Sequence, residues 1–249
     1  MTANKQRATA RIGTSGYQYD HWVGVLYPEE APKKSWFAHY ARSFDTVEIN
    51  NTFYSLPASK TFDAWRERAP VGFCYVLKFS RYGTHLKRLK EPGDTIATFL
   101  ERAERLKGRL GPILVQLPPH WKANPQRLAA FLDEASPAHR WAVEFRDPDW
   151  LRRDIYDLLA AHNAALVVHD LIPDHPRVTT ADWVYLRFHG PTENGPYGGN
   201  YSYQALNGVA RRIRKHLGEG RDVFAFFNND AKGYAVRNAA DLGRYLEDS

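Results

Sequence analysis

Short runs rich in β-branched and aromatic residues recur along the whole chain and alternate with segments of helical periodicity. Turn-forming and polar residues bound each run, which is the pattern of a strand in a largely buried sheet. The eight predicted strands are residues 11–15, 46–50, 73–79, 113–117, 141–146, 165–170, 183–189 and 223–229.

Seven other segments space apolar residues three or four positions apart, as on the buried face of a helix. Asp94 is the predicted N-cap of one helix, which Gly108 ends, and Asn124 with Pro125 begins another. The other five apolar stripes are Trp36, Phe37 and Tyr40; Phe62 and Trp65; Ile155, Leu158 and Leu159; Leu206, Val209, Ala210, Ile213 and Leu217; and Tyr234, Ala235, Ala239 and Leu242.

This alternation in 249 residues predicts a TIM-like (β/α)₈ barrel. The segment between strands six and seven is short and contains Pro173 and Pro176, so we expect its helix to be missing or reduced. A doubly wound open sheet is the alternative, but the chain has no Gly-x-Gly-x-x-Gly or Walker-type loop. We expect one domain over residues 1–249, with residues 1–10 as a flexible N-terminal tail.

The composition of the chain excludes several classes of protein. The chain is 43% hydrophobic, and no apolar run approaches the roughly 20 residues that a membrane-spanning helix needs. The first residues lack the apolar stretch of a secretory signal, so we expect a cytoplasmic protein without membrane partners. Cys74 is the only cysteine, which excludes an intrachain disulfide and any multi-thiolate metal site.

Lysine and arginine outnumber aspartate and glutamate by 34 to 28, a net charge of +6 that favours anionic partners. The excess lies in residues 81–109 and in the run 211–215. Both are interpreted either as solvated helix faces or as a functional basic surface that makes nucleic acid an alternative partner. Only Tyr82 interleaves with these charges, whereas nucleic-acid surfaces favour interleaved aromatics.

Polar residues collect at the carboxyl ends of the predicted strands, on the parity that faces the barrel interior. This ring consists of Glu48, Lys78, Gln116, Glu144, Arg187 and Asn228. Burying so many ionisable groups costs several kcal/mol each unless they pair or meet a ligand. Because enzymes of this fold keep their sites at the same end, we predict a ligand site there. The alternative is an internally compensated salt network.

Residue types in the ring suggest acid/base chemistry on an anion. Glu48 and Glu144 are the predicted general acid and base, and His189 is a proton shuttle that titrates near neutral pH. Lys78 has three interpretations: a point charge for an anion, a desolvated Schiff-base amine, or a partner of Glu48. Arg187 is predicted to grip a carboxylate or phosphate bidentately.

Further binding residues are predicted around the same mouth. The glycine-rich loop after strand seven lets backbone amides approach a ligand and leads into a helix. The predicted substrate- or anion-binding residues, besides Arg187, are Asn50, Tyr54, Gln116, Arg146, Asp170, Asn228, Gly198, Gly199 and Tyr201.

No cofactor motif is present, and a divalent metal is the less favoured alternative. Its oxygen and imidazole ligands would be Glu48, Glu144, Asp170 and His189. Lys78 and Arg187 in the same ring would repel a cation, so no metal ligand is predicted.

Several blocks at the strand ends carry a family pattern. They include GTSGY at 13–17, FDTVEINNTFY at 44–54, QLPP at 116–119, VEFR at 143–146, LRFHG at 186–190 and FNN at 227–229. With these blocks nearly the whole chain resembles the YecE-like family of uncharacterised proteins. The resemblance implies a TIM-like barrel and supplies no reaction, substrate or cofactor. His85, matched together with Lys78, joins the predicted binding residues, while Tyr17 and Asp147 stand where Trp and His are expected.

The leading hypothesis is an enzyme, of the hydrolase, lyase or isomerase type, acting on a small phosphorylated or polyhydroxylated anion. A glycosidase is a variant that requires two carboxylates about 5 Å or about 6.5–9.5 Å apart. The alternatives are a nucleic-acid binding or processing protein that uses the basic helix faces, and a non-catalytic ligand-binding protein. Nothing in the sequence indicates an oligomeric state.

Overall fold

The computed structural model describes residues 7–191 and 197–247, and within them eight parallel strands form one sheet. The strands are β1 Ala10–Thr14, β2 Thr46–Ile49, β3 Cys74–Lys78, β4 Leu110–Gln116, β5 Trp141–Glu144, β6 Ala165–His169, β7 Trp183–Phe188 and β8 Asp222–Phe227. Their spatial order is β1-β8-β7-β6-β5-β4-β3-β2, and a parallel bridge between Ser15 and Glu48 brings the two edges together. This nearly closed barrel confirms the predicted fold and is not the doubly wound sheet.

Helices lie between the strands, and seven of them follow the predicted stripes, whereas the short helix at residues 51–54 was not predicted. They are α1 Trp36–Ser43, α2 Asn51–Tyr54, α3 Ser59–Arg68, α4 Gly93–Ala103, α5 Pro125–Glu134, α6 Arg153–Ala161, α7 Tyr203–Gly218 and α8 Tyr234–Glu247. Short 3₁₀ turns and one π-helical turn, Tyr82–Leu86, complete the connections. As predicted, residues 171–182 contain no helix between β6 and β7. No helix among the described residues is both long and apolar enough to cross a membrane.

The two predicted helix starts have different outcomes. Asn124 caps α5, and its side-chain oxygen accepts a hydrogen bond from the Arg127 backbone amide at 3.0 Å. The prediction for Asp94 is wrong, because Pro92 is the N-cap of α4 and Asp94 lies in the first turn. A carboxylate there still interacts favourably with the helix dipole. The helical path continues past α4 as a 3₁₀ segment, Glu104–Arg109, which includes Gly108.

The amino-terminal half of the barrel interior is apolar. Inward side chains from six strands form one buried cluster: Cys74, Val76, Leu114, Ala142, Ala165, Val167, Trp183, Tyr185, Phe224 and Phe226. This plug fills the barrel below the polar ring, so the ring occupies the carboxyl-terminal end alone. Within the predicted tail, Ala10 belongs to β1 and the Thr9 amide donates to Asp222 at 2.9 Å, while residues 1–6 lie outside the described residues.

Candidate functional site

The carboxyl-terminal mouth brings together most of the predicted ring. Glu48, Glu144 and Arg187 are at most 1% exposed, and Lys78 and Gln116 are each 8% exposed. The strand register places Gln116 beside Glu144 and His169 beside Arg187. Strand alternation therefore collects five of the six predicted ring residues, together with His169, from six strands at one end of the barrel.

Arg187 is the centre of a buried ion network. One guanidinium nitrogen donates to Glu144 Oε2 at 2.6 Å and the other donates to Glu48 Oε1 at 2.7 Å. Glu48 also accepts hydrogen bonds from the Ser15 hydroxyl at 2.7 Å and from the Tyr185 hydroxyl at 2.6 Å. The guanidinium thus lies between the two carboxylates that sequence analysis assigned as acid and base, and it forms an ion pair with each of them.

Arg146 completes this network, since its Nε donates to the second oxygen of Glu144. Burial raises the pKa of Glu144, but Arg146 and Arg187 together hold it well below its usual range. A carboxylate that stays ionised in this way is a poor general acid. Glu144 is therefore an ionised carboxylate that holds two arginines, and its predicted role in proton transfer stays a prediction.

Lys78 stands apart from the network. Its ammonium donates to Gln116 Oε1 at 2.6 Å and lies 4.2 Å from the centroid of the Phe53 ring. Within the described ranges it has no carboxylate at ion-pair distance, so the interpretation as a partner of Glu48 does not match the structure. Burial, with a further contribution from Arg187, lowers the pKa of Lys78 to about 8.

His189, Asp170 and Tyr201 form a second hydrogen-bonded group at the mouth. Asp170 Oδ1 accepts from the His189 backbone amide at 2.9 Å and lies 3.2 Å from His189 Nδ1. The Tyr201 hydroxyl donates to the other carboxylate oxygen. Burial lowers the pKa of His189, which favours the neutral ring. Nδ1 then carries the proton, and Nε2 presents a lone pair 3.4 Å from Arg146.

The other predicted binding residues surround this centre at different depths. His85 Nδ1 lies 2.9 Å from the Thr84 hydroxyl, and burial, then Lys78, lowers its pKa to about 4. Asn50 Oδ1 is buried without a hydrogen-bond partner among the described residues, and Asn228 is half-buried. Tyr54 is 74% exposed, which places it at the rim.

The glycine-rich loop packs tightly where it is described. Gly190 has φ +112°, and a Cβ atom there would lie 1.9 Å from the Gly198 carbonyl oxygen, so only glycine fits. Asn229 Nδ2 donates to the Gly199 carbonyl at 2.9 Å. Residues 192–196 of this loop lie outside the described residues.

Sequence reasoning did not assign Ser15, Tyr185 or Asn229 to the site, although all three hold its members in place. A signal existed for Tyr185, because it shares the inward parity of Arg187 two positions later. Ser15 follows the last residue of β1, so the same strand-end rule that selected Glu48 applies to it.

Three arginines of the first basic segment are bound to neighbouring groups, and two arginines of the second are exposed. Arg105 pairs with Asp63, Arg102 donates to Ser59, and Arg109 donates to a backbone carbonyl. Arg211 and Arg212 on α7 are exposed. In the part of the chain that the structure describes, no three His, Cys, Asp or Glu side chains are grouped so that they could hold a metal ion.

Comparison with known proteins points to one family. The model of the family described as "Protein of unknown function DUF72" matches residues 11–249. The chain is 31% identical to UPF0759 protein YecE of Escherichia coli (strain K12) over 147 residues, which are 57% of this chain and 50% of YecE. The matched region therefore spans about half the length of YecE. The chain is also 24% identical to UPF0759 protein YunF of Bacillus subtilis (strain 168) over 276 residues, which cover 95% of this chain and 94% of YunF.

Solved structures share the architecture. The crystal structure of a DUF72 family protein from Thermotoga maritima has a TM-score of 0.85 at 29% identity, covering 96% of this chain and 100% of that chain. A DUF72 family protein from Enterococcus faecalis has a TM-score of 0.80 at 20% identity, covering 97% and 96% of the two chains. The second likeness is one of fold alone.

Proposed function

The chain belongs to the DUF72 family of proteins of unknown function, and from its site we propose that it is an enzyme that binds a small anionic substrate at the barrel mouth. Lys78 and Arg146 would bind the anion, and His189, oriented by Asp170, would transfer the proton. Glu48 and Glu144 would act as positioning residues through Arg187 and Arg146. This combination suits a hydrolase, a lyase or an isomerase that uses general acid/base catalysis.

The observation that carries the proposal is the buried ammonium of Lys78. It is 8% exposed, and its hydrogen-bond acceptor, Gln116, is neutral. A charged group removed from water is unfavourable unless an opposite charge reaches it. Glu48 and Glu144 are already bound to arginines, so an anionic ligand is the natural counter-ion.

The arrangement of Arg146 connects binding to proton transfer. Its guanidinium contacts both Glu144 and His189 Nε2, so an anion bound by Arg146 comes next to that lone pair. The hydrogen bond to Asp170 keeps the ring proton on Nδ1 and stabilises the imidazolium that forms when Nε2 accepts a proton.

Calorimetric titration with inorganic phosphate, citrate and a panel of sugar phosphates tests the binding step. We expect Lys78→Met to weaken the binding of the tightest of these anions by about tenfold or more, because one charge-assisted contact is lost. Lys90→Met, which removes a lysine whose side chain is 62% exposed, is the matched control and should bind as wild type does. Equal affinity in the Lys78→Met variant would contradict the anion-binding role.

Turnover of the tightest anion tests the catalytic step. His189→Gln should keep the affinity while reducing turnover by about a hundredfold or more, the usual contribution of a positioned base. Tight binding without any turnover by wild type would instead make the protein a non-catalytic ligand-binding protein. Binding of oligonucleotides with a steep salt dependence, in the absence of anion binding, would favour the nucleic-acid alternative.

A further inference from the structure

The gap left by the missing helix is a cavity outside the barrel. Residues 171–182, α7 and the outer faces of β6 and β7 enclose about 310 Å³, within the range of small-molecule sites. Its apolar walls are Val168, Ile172, Val178, Val184, Leu186 and Phe188. His169, Asp170 and Arg187 of the mouth also line it, whereas Lys78 and Arg146, which are proposed to bind the anion there, do not. This outer cavity therefore adjoins the mouth without containing its proposed anion-binding residues.

The outer faces of the strands are covered unequally. Val115 on β4 and Val143 on β5 are fully buried, as expected under a complete helix layer. Leu186, Phe188 and Val168 are only half-buried, although they also belong to strands of the barrel. Apolar surface left partly hydrated at the bottom of a concave site favours a ligand with an apolar body.

Two arginines at the cavity supply charge. Arg177 and Arg212 are exposed, and neither has a carboxylate at ion-pair distance in residues 7–191 and 197–247. Two carboxylates, Asp170 and Asp174, also line the cavity. Asp170 accepts hydrogen bonds from His189 and Tyr201, and in the described part of the chain no ion pair joins Asp174 to either arginine. Arg177 and Arg212 are thus neighbouring cations without a paired carboxylate, which favours an anionic group beside them.

A buried histidine adds a directional requirement. His175 is 9% exposed and lines the cavity, and its Nδ1 lies 2.9 Å from the Pro176 carbonyl. Because that carbonyl only accepts, Nδ1 carries the proton in the neutral ring. Nε2 is then a buried acceptor, and it has no partner among the described residues. A hydroxyl or N–H group of a ligand would satisfy it.

We propose that the outer cavity is a second binding site, for a small amphipathic anion. Its apolar or aromatic body lies against Leu186 and Phe188, its carboxylate or phosphate meets Arg177 and Arg212, and a donor group faces His175. This inference stands on the outer cavity alone and does not rest on the function proposed for the mouth.

Titration of the full chain with 4-hydroxybenzoate, which carries a carboxylate, an aromatic body and a hydroxyl donor, tests the site. We expect saturable binding at one site, and at least about tenfold weaker binding of the neutral 4-hydroxybenzyl alcohol, because the contact with the arginines is lost. Failure of 4-hydroxybenzoate to bind at millimolar concentration, or equal affinity for the alcohol, overturns the proposal.

Variants then locate the ligand. The double variant Arg177→Ala/Arg212→Ala removes two exposed side chains and should weaken the binding of 4-hydroxybenzoate by about tenfold or more. Arg211→Ala, the neighbouring exposed arginine that does not line the cavity, is the matched control and should leave the affinity unchanged. Lys78→Met should also leave it unchanged. Loss of binding in Lys78→Met with retention in the double variant would place the ligand at the mouth, contradicting the outer site and supporting the mouth proposal.

Discussion

Two buried cationic side chains at the same end of the barrel have opposite surroundings. Arg187 donates to two carboxylates, whose remaining partners are Arg146, Ser15 and Tyr185. Lys78 is nearly as buried, yet its acceptor is the neutral Gln116. The formal charges of Glu48, Glu144, Arg146 and Arg187 sum to zero, whereas Lys78 adds one positive charge that nothing described at ion-pair distance cancels.

This difference distinguishes structural from functional burial of charge. A compensated network holds its members in one geometry, and removing a member leaves an unpaired buried charge. An uncompensated cation is held by the fold at a cost in stability, and it becomes favourable when a ligand supplies the counter-charge. The alternative of a salt network thus describes the part of the mouth around Arg187, while the ligand site stays a prediction for the part around Lys78.

The largest expected effect is the loss of Arg187. Arg187→Met leaves two carboxylates and one arginine in the network, so we expect the free energy of unfolding to fall by about 3–5 kcal/mol. Urea unfolding at pH 7 measures this change. Adding Glu48→Gln restores a net charge of zero, and the double variant should recover at least about 1 kcal/mol, since the amide oxygen still accepts hydrogen bonds. A double variant no more stable than Arg187→Met would contradict charge compensation as the reason.

The exposed pair of Arg153 and Asp157 serves as the control for that series. Their side chains are 88% and 62% exposed, so their attraction is screened by water. Arg153→Ala should unfold at the wild-type urea concentration within error. A large change there would mean that charge removal in general, rather than the buried network, controls the stability of this protein.

Stability against pH tests the other half of the comparison. The pKa of Lys78 is about 8 in the folded protein and 10.5 in its ordinary state, so between these values the unfolded chain binds more protons. The contribution of Lys78 to the free energy of unfolding therefore rises between pH 8 and pH 10.5, by about 3 kcal/mol in total. The free energy of unfolding of Lys78→Met should exceed that of wild type by the largest amount below pH 8, and this difference should disappear by pH 10.5. A difference in unfolding free energy that does not change with pH would mean that the burial of Lys78 does not destabilise the folded protein.

The smallest expected effect concerns one hydrogen bond of the network. Tyr185→Phe removes the hydroxyl that donates to Glu48 Oε2 at 2.6 Å but leaves Ser15 and Arg187 in place. We expect a loss of about 2 kcal/mol in unfolding free energy, typical of a hydrogen bond to a charged group. Tyr156→Phe, whose hydroxyl has no hydrogen-bond partner in the described part of the chain, is the matched control and should be close to neutral. Equal effects of the two substitutions would show that the hydroxyl of Tyr185 adds nothing to the network.

The predicted strands and helices were placed well because their signals are local. All eight strands overlap the predictions, and the proline-containing gap before β7 was identified from its composition. The error at Asp94 has a local cause as well, since a carboxylate is favourable both as a cap and in the first turn of a helix. Parity along each strand also selected the inward polar residues at the mouth.

Residue pattern alone thus established the barrel, its direction and the set of charged side chains that share one end. It did not decide that Arg187 would take both glutamates, that Lys78 would be left with Gln116, or that the missing helix would leave a cavity. The hydrogen bond between Arg187 and Glu48 joins residues 139 positions apart. Such choices depend on distances of a few ångströms between side chains from separate segments, and these distances exist only once the barrel has closed.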